Sequence, residues 1–385
     1  MALLDTLFSA FKGGAPDRVP LTQGYWQNFS PVADTRPDRR PFRYNSAVRD
    51  AFLVNPIAQR AVRIVAEGIG QAPKSVTDPS LSGLINATSA GQPLIETIAT
   101  HILLHGNCFV QVLKDASGHP IELFALRPDR MQVLTGSDGW PCGYQYSVSQ
   151  DPVIIPKEDE DGWPNVIHIK TMHPLDDYLG AGALEAAYQA VEIHNAASEW
   201  NRSLLENAAR PSGALVYDAP DGVGLSHDQF DRLKRELENA FSGSNNAGRP
   251  MLLDGGLKWQ KMAMSPADMD FAALKSAAAR EIALAFGVPP MLLGLPGDNT
   301  YSNYREANRA LWRLTLLPLA EKLFAALKEG LEPWFADANI SIDLDRITAL
   351  SEDRERLWKQ VSEADFLTNA EKRELLGFPS GGQPE

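Results

Sequence analysis

The chain has 385 residues, 44% of them hydrophobic, and 36 Lys and Arg against 49 Asp and Glu leave a formal net charge of −13. That length exceeds one typical domain and predicts two or more substructures, while no run of 18 or more apolar residues reads as a membrane span. The acidic balance has the wrong sign for a protein that grips DNA by its phosphates, because such affinity comes from counterions displaced by Lys and Arg; an acidic surface that keeps the chain in solution is the plainer reading.

Met1–Phe11 leans apolar, but no basic stretch precedes it and no small-residue cleavage pattern follows, so a signal peptide is not expected. Residues 13–44 are rich in Pro, Gly, Asp and Arg and read as an extended or disordered arm. Asn45–Gly68 carries a helical stripe through Phe52, Ile57, Ala61 and Val65, with Asn55-Pro56 breaking it and restarting a helix. Gly91–His105 is a second amphipathic helix, and Gly106 leads into the strand Cys108–Leu113, with a hairpin turn at Ser117-Gly118. Short strands follow at 121–126, 131–134, 144–148 and 165–169, while Pro152–Pro164, with its charged run 157–161, reads as an exposed hairpin or loop. Helices followed by antiparallel strands predict an α+β domain.

Leu184–Ala209 has the spacing of a long helix, ended by Arg210-Pro211-Ser212-Gly213. A compact insert comes next: strand 214–217, helix Ser226–Phe241, a turn at Gly243–Asn246, and strands 251–253 and 257–262. Asp268–Phe286 is an Ala-rich helix, which Gly287 can close in the left-handed conformation and Pro289-Pro290 cannot continue. Gly294, Pro296, Gly297, Asp298 and Asn299 then form a polar loop, and another helix starts with Thr300 or Ser302 as cap and runs to Gly330. Pro318 lies inside that helix and should kink it by removing a backbone hydrogen bond. A strand at 340–344 and short helices near 351–361 and 368–376 complete the chain before a Gly/Pro tail.

Motifs for catalysis are sparse. No G-x-x-x-x-G-K-[ST] loop and no G-x-S-x-G elbow occurs, and Gly68-Ile69-Gly70 lacks the third glycine of a dinucleotide loop. Gly180-Ala181-Gly182-Ala183 also falls short and reads as flexibility at a helix entry. His101 and His105 share a helix face at zinc-like spacing, but Ile102 stands where a metalloprotease needs its glutamate, and helix-end histidines are the commoner reading. His119, His168 and His173 have no paired nucleophile. Cys108 and Cys142, far apart and without CxxC spacing, give neither a disulfide framework nor a zinc set and suit a reducing cytoplasm. Carboxylates are plentiful, among them Asp176, Asp177, Asp268 and Asp270. Asp343 and Asp345 alternate on one predicted strand face, as the magnesium ligands of a cytoplasmic nuclease would; solvated charges on a strand edge are the alternative. Arg305, Arg309 and Arg313 recur every four residues beside Tyr301, Tyr304 and Trp312. They read either as a basic ladder or as partners for carboxylates such as Asp268, Asp270 or Glu306 on a neighbouring subunit, the second suiting an acidic chain better.

Ala285-Phe286-Gly287-Val288-Pro289-Pro290, then Leu293-Gly294, then Tyr301-Ser302-Asn303, resembles the small-portal branch of the tailed-phage portal proteins. Gly106-Asn107-Cys108-Phe109-Val110, Pro128-Asp129-Arg130, Tyr178-Leu179-Gly180 and Leu367–Arg373 resemble further family landmarks in order, so the likeness covers most of residues 45–380. Relatives include portals of prophage-derived gene transfer agents. The resemblance implies an α+β portal fold assembled as a ring: a flexible arm (1–44), an α/β wing (45–183), a stem helix (184–209), a small α/β clip (210–264), a returning stem helix (265–290), a tunnel loop (291–303), a kinked tunnel helix (304–332) and a C-terminal wing or crown segment (333–385). It implies a twelve-fold ring at one capsid vertex of a virion or phage-like particle, assembled in the host cytoplasm. Its implied partners are double-stranded DNA in transit, the major capsid protein, the terminase large subunit and a head-tail adaptor, with no membrane, cofactor, metal or catalytic residue. Gly297, Asp298, Asn299, Thr300, Tyr301, Ser302 and Asn303 would then face the DNA. Arg305, Arg309 and Arg313 would lie at a subunit seam or in the tunnel, Gly287, Pro289 and Pro290 at the helix stop, and Pro318 at the kink. Asp228, Arg232, Arg235 and Asn245 of the insert would meet partners.

Overall fold

The computed structural model describes residues 42–376 apart from 90, 149–150, 207–212, 218–225, 242–256, 262–270 and 297–299. Most of the expected N-terminal arm, the Gly243–Asn246 turn, the strand at 251–253, Asp268, Asp270 and the Gly/Pro tail lie outside the described residues. In chain order, α1 (Tyr44–Val48) runs into a π-helical stretch at Arg49–Val54, followed by α2 (Pro56–Gly70), β1 (Lys74–Val76), α3 (Pro79–Ile85), β2 (Thr88–Ser89), β3 (Gln92–Pro93) and α4 (Leu94–His105). Strands β4 (Asn107–Lys114), β5 (Pro120–Leu126), β6 (Met131–Thr135), β7 (Pro141–Tyr146), β8 (Val153–Pro156) and β9 (Val166–Lys170) lead to α5 (Ala183–Glu206). Then come β10 (Gly213–Tyr217), α6 (His227–Phe241), β11 (Leu257–Lys261) and α7 (Phe271–Ala285). Helix α8 (Tyr301–Leu311), a π-helical turn (Trp312–Leu316), α9 (Leu317–Leu331), β12 (Ile340–Ile342), α10 (Ser351–Glu363) and α11 (Asn369–Leu375) close the order.

The chain folds as two compact units, one built on Ile69–Gly182 and Leu319–Asp343 with Tyr44, the other on Asn45–Gly68, Ala183–Pro318 and Leu344 onward. In the first, β5-β4-β9 and β6-β7-β8 form two antiparallel three-stranded sheets, and β12 pairs with β1. Inward residues of both sheets share one core: Phe109, Leu126, Tyr144 and Val166, with Met131, Val133 and Ile155 packed against it. The Phe109 and Tyr144 rings meet edge to face at 5.4 Å, a favoured aromatic geometry. Strand β8 falls in the stretch read from sequence as an exposed hairpin or loop, with an antiparallel bridge Glu158↔Pro164 after it; its edge position tolerates the proline at its end. At the β4–β5 turn Gly118 takes φ +83°, and the Asp115 carboxylate accepts from the Ser117 and His119 amides. Trp334 Nε1 donates to the Gly118 carbonyl at 2.9 Å and stands edge-on to Trp163, fastening the segment after α9 to that turn.

A tight backbone crossing and one buried polar side chain lie inside this unit. Gly106 ends α4 at φ +79°, and a Cβ there would sit 2.3 Å from the Ala181 carbonyl carbon. A Cβ on Gly180 would sit 2.3 Å from Gly106 O, and one on Gly182 2.6 Å from Leu104 O. The glycines at 180 and 182 are thus required by backbone lying against backbone; flexibility at a helix entry is not their role. Beside them Asn107 is fully buried. Its Oδ1 accepts from Gly180 N at 2.8 Å, and its Nδ2 donates to Gly180 O at 2.9 Å and faces His105 O and Nδ1. The Gly180 amide fixes which end of the side-chain amide is oxygen, so His168, 3.1 Å from Oδ1, must donate from Nε2. His168 also stacks on Phe109 with centroids 4.1 Å apart. Burial holds it neutral and pushes its pKa down to about 3, and burial likewise takes His101 down to about 4.

The second unit is helical. Helix α5 buries Leu184, Ala187, Val191, His194 and Ala197, and packs along α7, which buries Ala278, Ala279, Ile282 and Ala283. Alanines on both sides let the two backbones approach, and Trp200 stacks on Phe271 toward the end of α5. The break expected at Asn55-Pro56 is present: Asn55 is extended, and its Oδ1 caps α2 by accepting from Ile57 N and Ala58 N, each at 3.0 Å. Its Nδ2 donates to His194 Nδ1 at 3.1 Å and Asn195 Oδ1 at 2.9 Å, and Asn195 donates in turn to the Asp50 carbonyl. Burial, with the Lys275 charge nearby, keeps His194 below its ordinary pKa and so able to accept. The insert keeps its strand pair, β10 with β11 in the register Leu215↔Trp259.

Candidate functional site

The stretch around which the site is built begins where α7 stops. Gly287 adopts φ +66°, its N–H donates to Leu284 O, and Val288 N reaches back to Ala283 O at 2.9 Å. That pair of bonds is the Schellman arrangement, completed by the burial of Val288. Thr315 Oγ1 donates to the Gly287 carbonyl at 2.6 Å, so the helix stop is tied to the π-helical turn. Pro289 cannot extend α7, and Pro290–Leu293 forms a single 3₁₀ turn closed by Gly294 at φ +73°. The expected loop is therefore shorter than 291–303 at its start. It is also shorter at its end. Thr300 is the cap, its Oγ1 accepting from Asn303 N at 3.2 Å, so Tyr301, Ser302 and Asn303 form the first turn of α8. All three are exposed, Tyr301 to 80%. Gly297, Asp298 and Asn299 lie outside the described residues.

The arginine series meets carboxylates of its own chain. Arg305 Nη1 donates to Glu352 Oε1 at 2.7 Å and Arg309 Nη2 to Glu352 Oε2 at 2.7 Å. One carboxylate of α10 thus bridges two arginines of α8. Arg309 also pairs with Glu306 at 3.0 Å and faces Asp353 Oδ2 at 3.3 Å. These contacts, Glu352 foremost, raise the Arg309 pKa. Arg313 stands apart: it lies in the π-helical turn, is exposed, and forms no ion pair among the described residues. The four-residue spacing continues on one face only while the helix is α, and the wider turn carries Arg313 off it. Pro318, the expected kink residue, lies in the first turn of α9, directly after the π-helical turn. Leu317 N donates to Trp312 O, five residues back. Pro318 has no N–H, its ring would press on the carbonyl four residues before it, and widening that turn relieves the contact.

In the insert, Asp228, Arg232 and Arg235 all lie exposed on α6, Arg235 Nε donating to its own chain at Asp231 O. Asn245 lies outside the described residues. Asp343 and Asp345 are not on one strand face. Strand β12 ends at Ile342, Asp343 N donates to Pro73 O, and Asp345 sits in a 3₁₀ turn where Arg354 Nε (2.6 Å) and Trp358 Nε1 (3.1 Å) hold its carboxylate. The Arg354 bond lowers its pKa. Asp176 is consumed in a turn, accepting from Tyr178 N and Leu179 N. Among the described residues no group of three or more His, Cys, Asp or Glu could hold a metal, and no helix is long and apolar enough to cross a membrane. Glu352 and Asp353 escaped the sequence reading because acids in the first turn of a helix serve its dipole wherever they occur; only their distance of more than forty residues from the arginines hides the pairing.

The phage portal protein family model matches residues 56–377. The chain belongs to that family. The portal is 46% identical to a chain in the neck of a native gene transfer agent (GTA) particle computed with C12 symmetry, with a TM-score of 0.68, covering 89% of this chain and 96% of that one. It is 38% identical to an uncharacterised protein of Rickettsia felis across 92% of this chain and 96% of the relative. The probable portal protein of Streptomyces phage phiC31 is 27% identical, covering 80% of this chain and 71% of that one. A nuclease built on Asp343 and Asp345 finds no support in either the geometry or these relatives.

Proposed function

We propose that this portal protein assembles as a twelve-subunit ring at one vertex of a phage or gene transfer particle, and that double-stranded DNA passes through the ring. The observation that carries the reading is the 46% identity, over nearly the whole of both chains, to a subunit of a particle neck computed with C12 symmetry. A closed ring of identical chains needs heterologous contacts, each subunit offering one face to the next. The exposed Tyr301, Ser302 and Asn303 at the start of α8, with the segment just before them, are the channel contact. The Ser302 and Asn303 side chains and the Tyr301 phenol are uncharged, so they hold the duplex weakly and without regard to sequence, which suits passage. Arg313, unlike Arg305 and Arg309, is left for a neighbouring subunit. Asp228, Arg232, Arg235 and Asn245 are contacts for the terminase large subunit during packaging and for the head-tail adaptor afterwards, and the capsid protein surrounds the ring at the vertex.

Mass measurement of the purified chain under native conditions tests the assembly: twelve copies are expected, and a monomer or dimer at all concentrations overturns it. Replacing residues 297–303 by a short Gly-Ser linker should leave the ring mass unchanged and reduce the DNA packaged or retained per particle. Loss of the ring in that variant would assign the segment to assembly instead.

A further inference from the structure

We propose that Glu352 and Asp353 act as an electrostatic shield, keeping Arg305 and Arg309 of α8 from binding the phosphates of the passing duplex. The inference rests on the channel reading above and adds to it a role for the C-terminal helix α10. Two guanidiniums on α8 are a ready phosphate site, since forked arginine donors match phosphate as well as they match carboxylate. Here they are already engaged. Glu352 spends one oxygen on each arginine, both at 2.7 Å, and Asp353 and Glu306 occupy further faces of Arg309. Three carboxylates surround two guanidiniums, so the cluster carries net negative charge.

The acids are held in place by more than the arginines. Helix α10 is anchored by Val361, by Arg354 on Asp345 and on the Leu376 carbonyl, and by Trp358 on Asp345, with Ile347 and Leu350 buried just before it. The shield is thus fixed by contacts independent of the charges it covers. A translocating polyanion that met two free arginines in every subunit of a ring would be gripped at many points at once, and counterion release would make that grip strong. Paired arginines keep α8 polar without making it adhesive.

The test uses full-length assembled rings and a fluorescent 30-base-pair duplex, read by anisotropy over a salt series. Wild-type rings should bind it weakly. Glu352→Gln with Asp353→Asn should bind about tenfold tighter at low salt, with a salt slope steeper by about 2, as two added phosphate contacts per bound site require. Adding Arg305→Gln and Arg309→Gln should abolish the gain. Glu306→Gln, which leaves the α8–α10 contacts in place, should give a smaller gain and covers the case in which the double variant fails to assemble. Equal binding by wild-type and carboxylate-neutralised rings of normal mass overturns the shield. A duplex blocked at both ends by streptavidin separates the two ideas: if it shows the full gain, the shield stands but the arginines lie outside the channel.

Discussion

The Asn107 knot and the Glu352 clasp are both polar, but they are built for opposite conditions. Asn107 is fully buried, carries no charge, and spends its side chain on backbone groups and neutral histidines. Glu352 is half exposed, charged, and spends its carboxylate on Arg305, which is also half exposed, and on Arg309, which is largely covered. Removing a buried hydrogen-bonding group strands its partners away from water, whereas an ion pair with an exposed carboxylate leaves that carboxylate to solvent when it breaks, and Arg309 keeps Glu306 and Asp353 beside it. Stability therefore resides in the first, and surface charge is set by the second. A polar contact's contribution to the fold cannot be judged from its length: the 2.7 Å clasp is shorter than any bond the knot makes.

The comparison can be broken from either side. Asn107→Leu should have the largest effect, leaving the Gly180 N–H and C=O buried without partners. A loss of about 4 kcal/mol is expected from urea unfolding. Gly180→Ala forces a methyl into the Gly106 carbonyl, and about 3 kcal/mol of overpacking should appear in the same assay. Asn55→Ala removes the α2 cap and a donor to His194 and should cost about 2 kcal/mol. Acid should act on the knot. His168 titrates at about 3 in the fold against its ordinary 6.5, so its contribution is complete above pH 6.5 and is lost as pH falls toward 3. Thermal midpoints measured from pH 7.5 to 4 should fall, and His168→Gln should flatten that slope. Glu352→Gln should have the smallest effect, with no resolvable change in midpoint; a large drop would mean that the clasp holds α10 on the fold after all.

Much of this architecture was readable from residues near one another in the chain. The Asn55-Pro56 break and the Gly287 stop depend on atoms within a few positions and stand where turn and cap chemistry put them, and of the two caps the sequence offered, Thr300 and Ser302, the structure uses Thr300. What was not readable depends on distance. Gly180 and Gly182 look like any flexible pair until Gly106 is laid against them, and Asp343 and Asp345 alternate like strand residues although the strand ends one residue earlier. Glu352 carries no local mark of its arginines. The π-helical turn lies between these cases: Pro318 announced a disturbance, but not that the helix would absorb it upstream.

The crossing of Gly106 and Gly180 has a further consequence. Between those two points the chain makes a closed excursion that holds both three-stranded sheets, leaving and returning through one pinched neck. Insertions or deletions at the β6–β7 tip would be contained there, whereas the β4–β5 tip is tied from outside by Trp334 on the Gly118 carbonyl. The excursion is in effect a pouch drawn shut by its own string and pinned at one corner, free to change its outline only where nothing outside it is fastened.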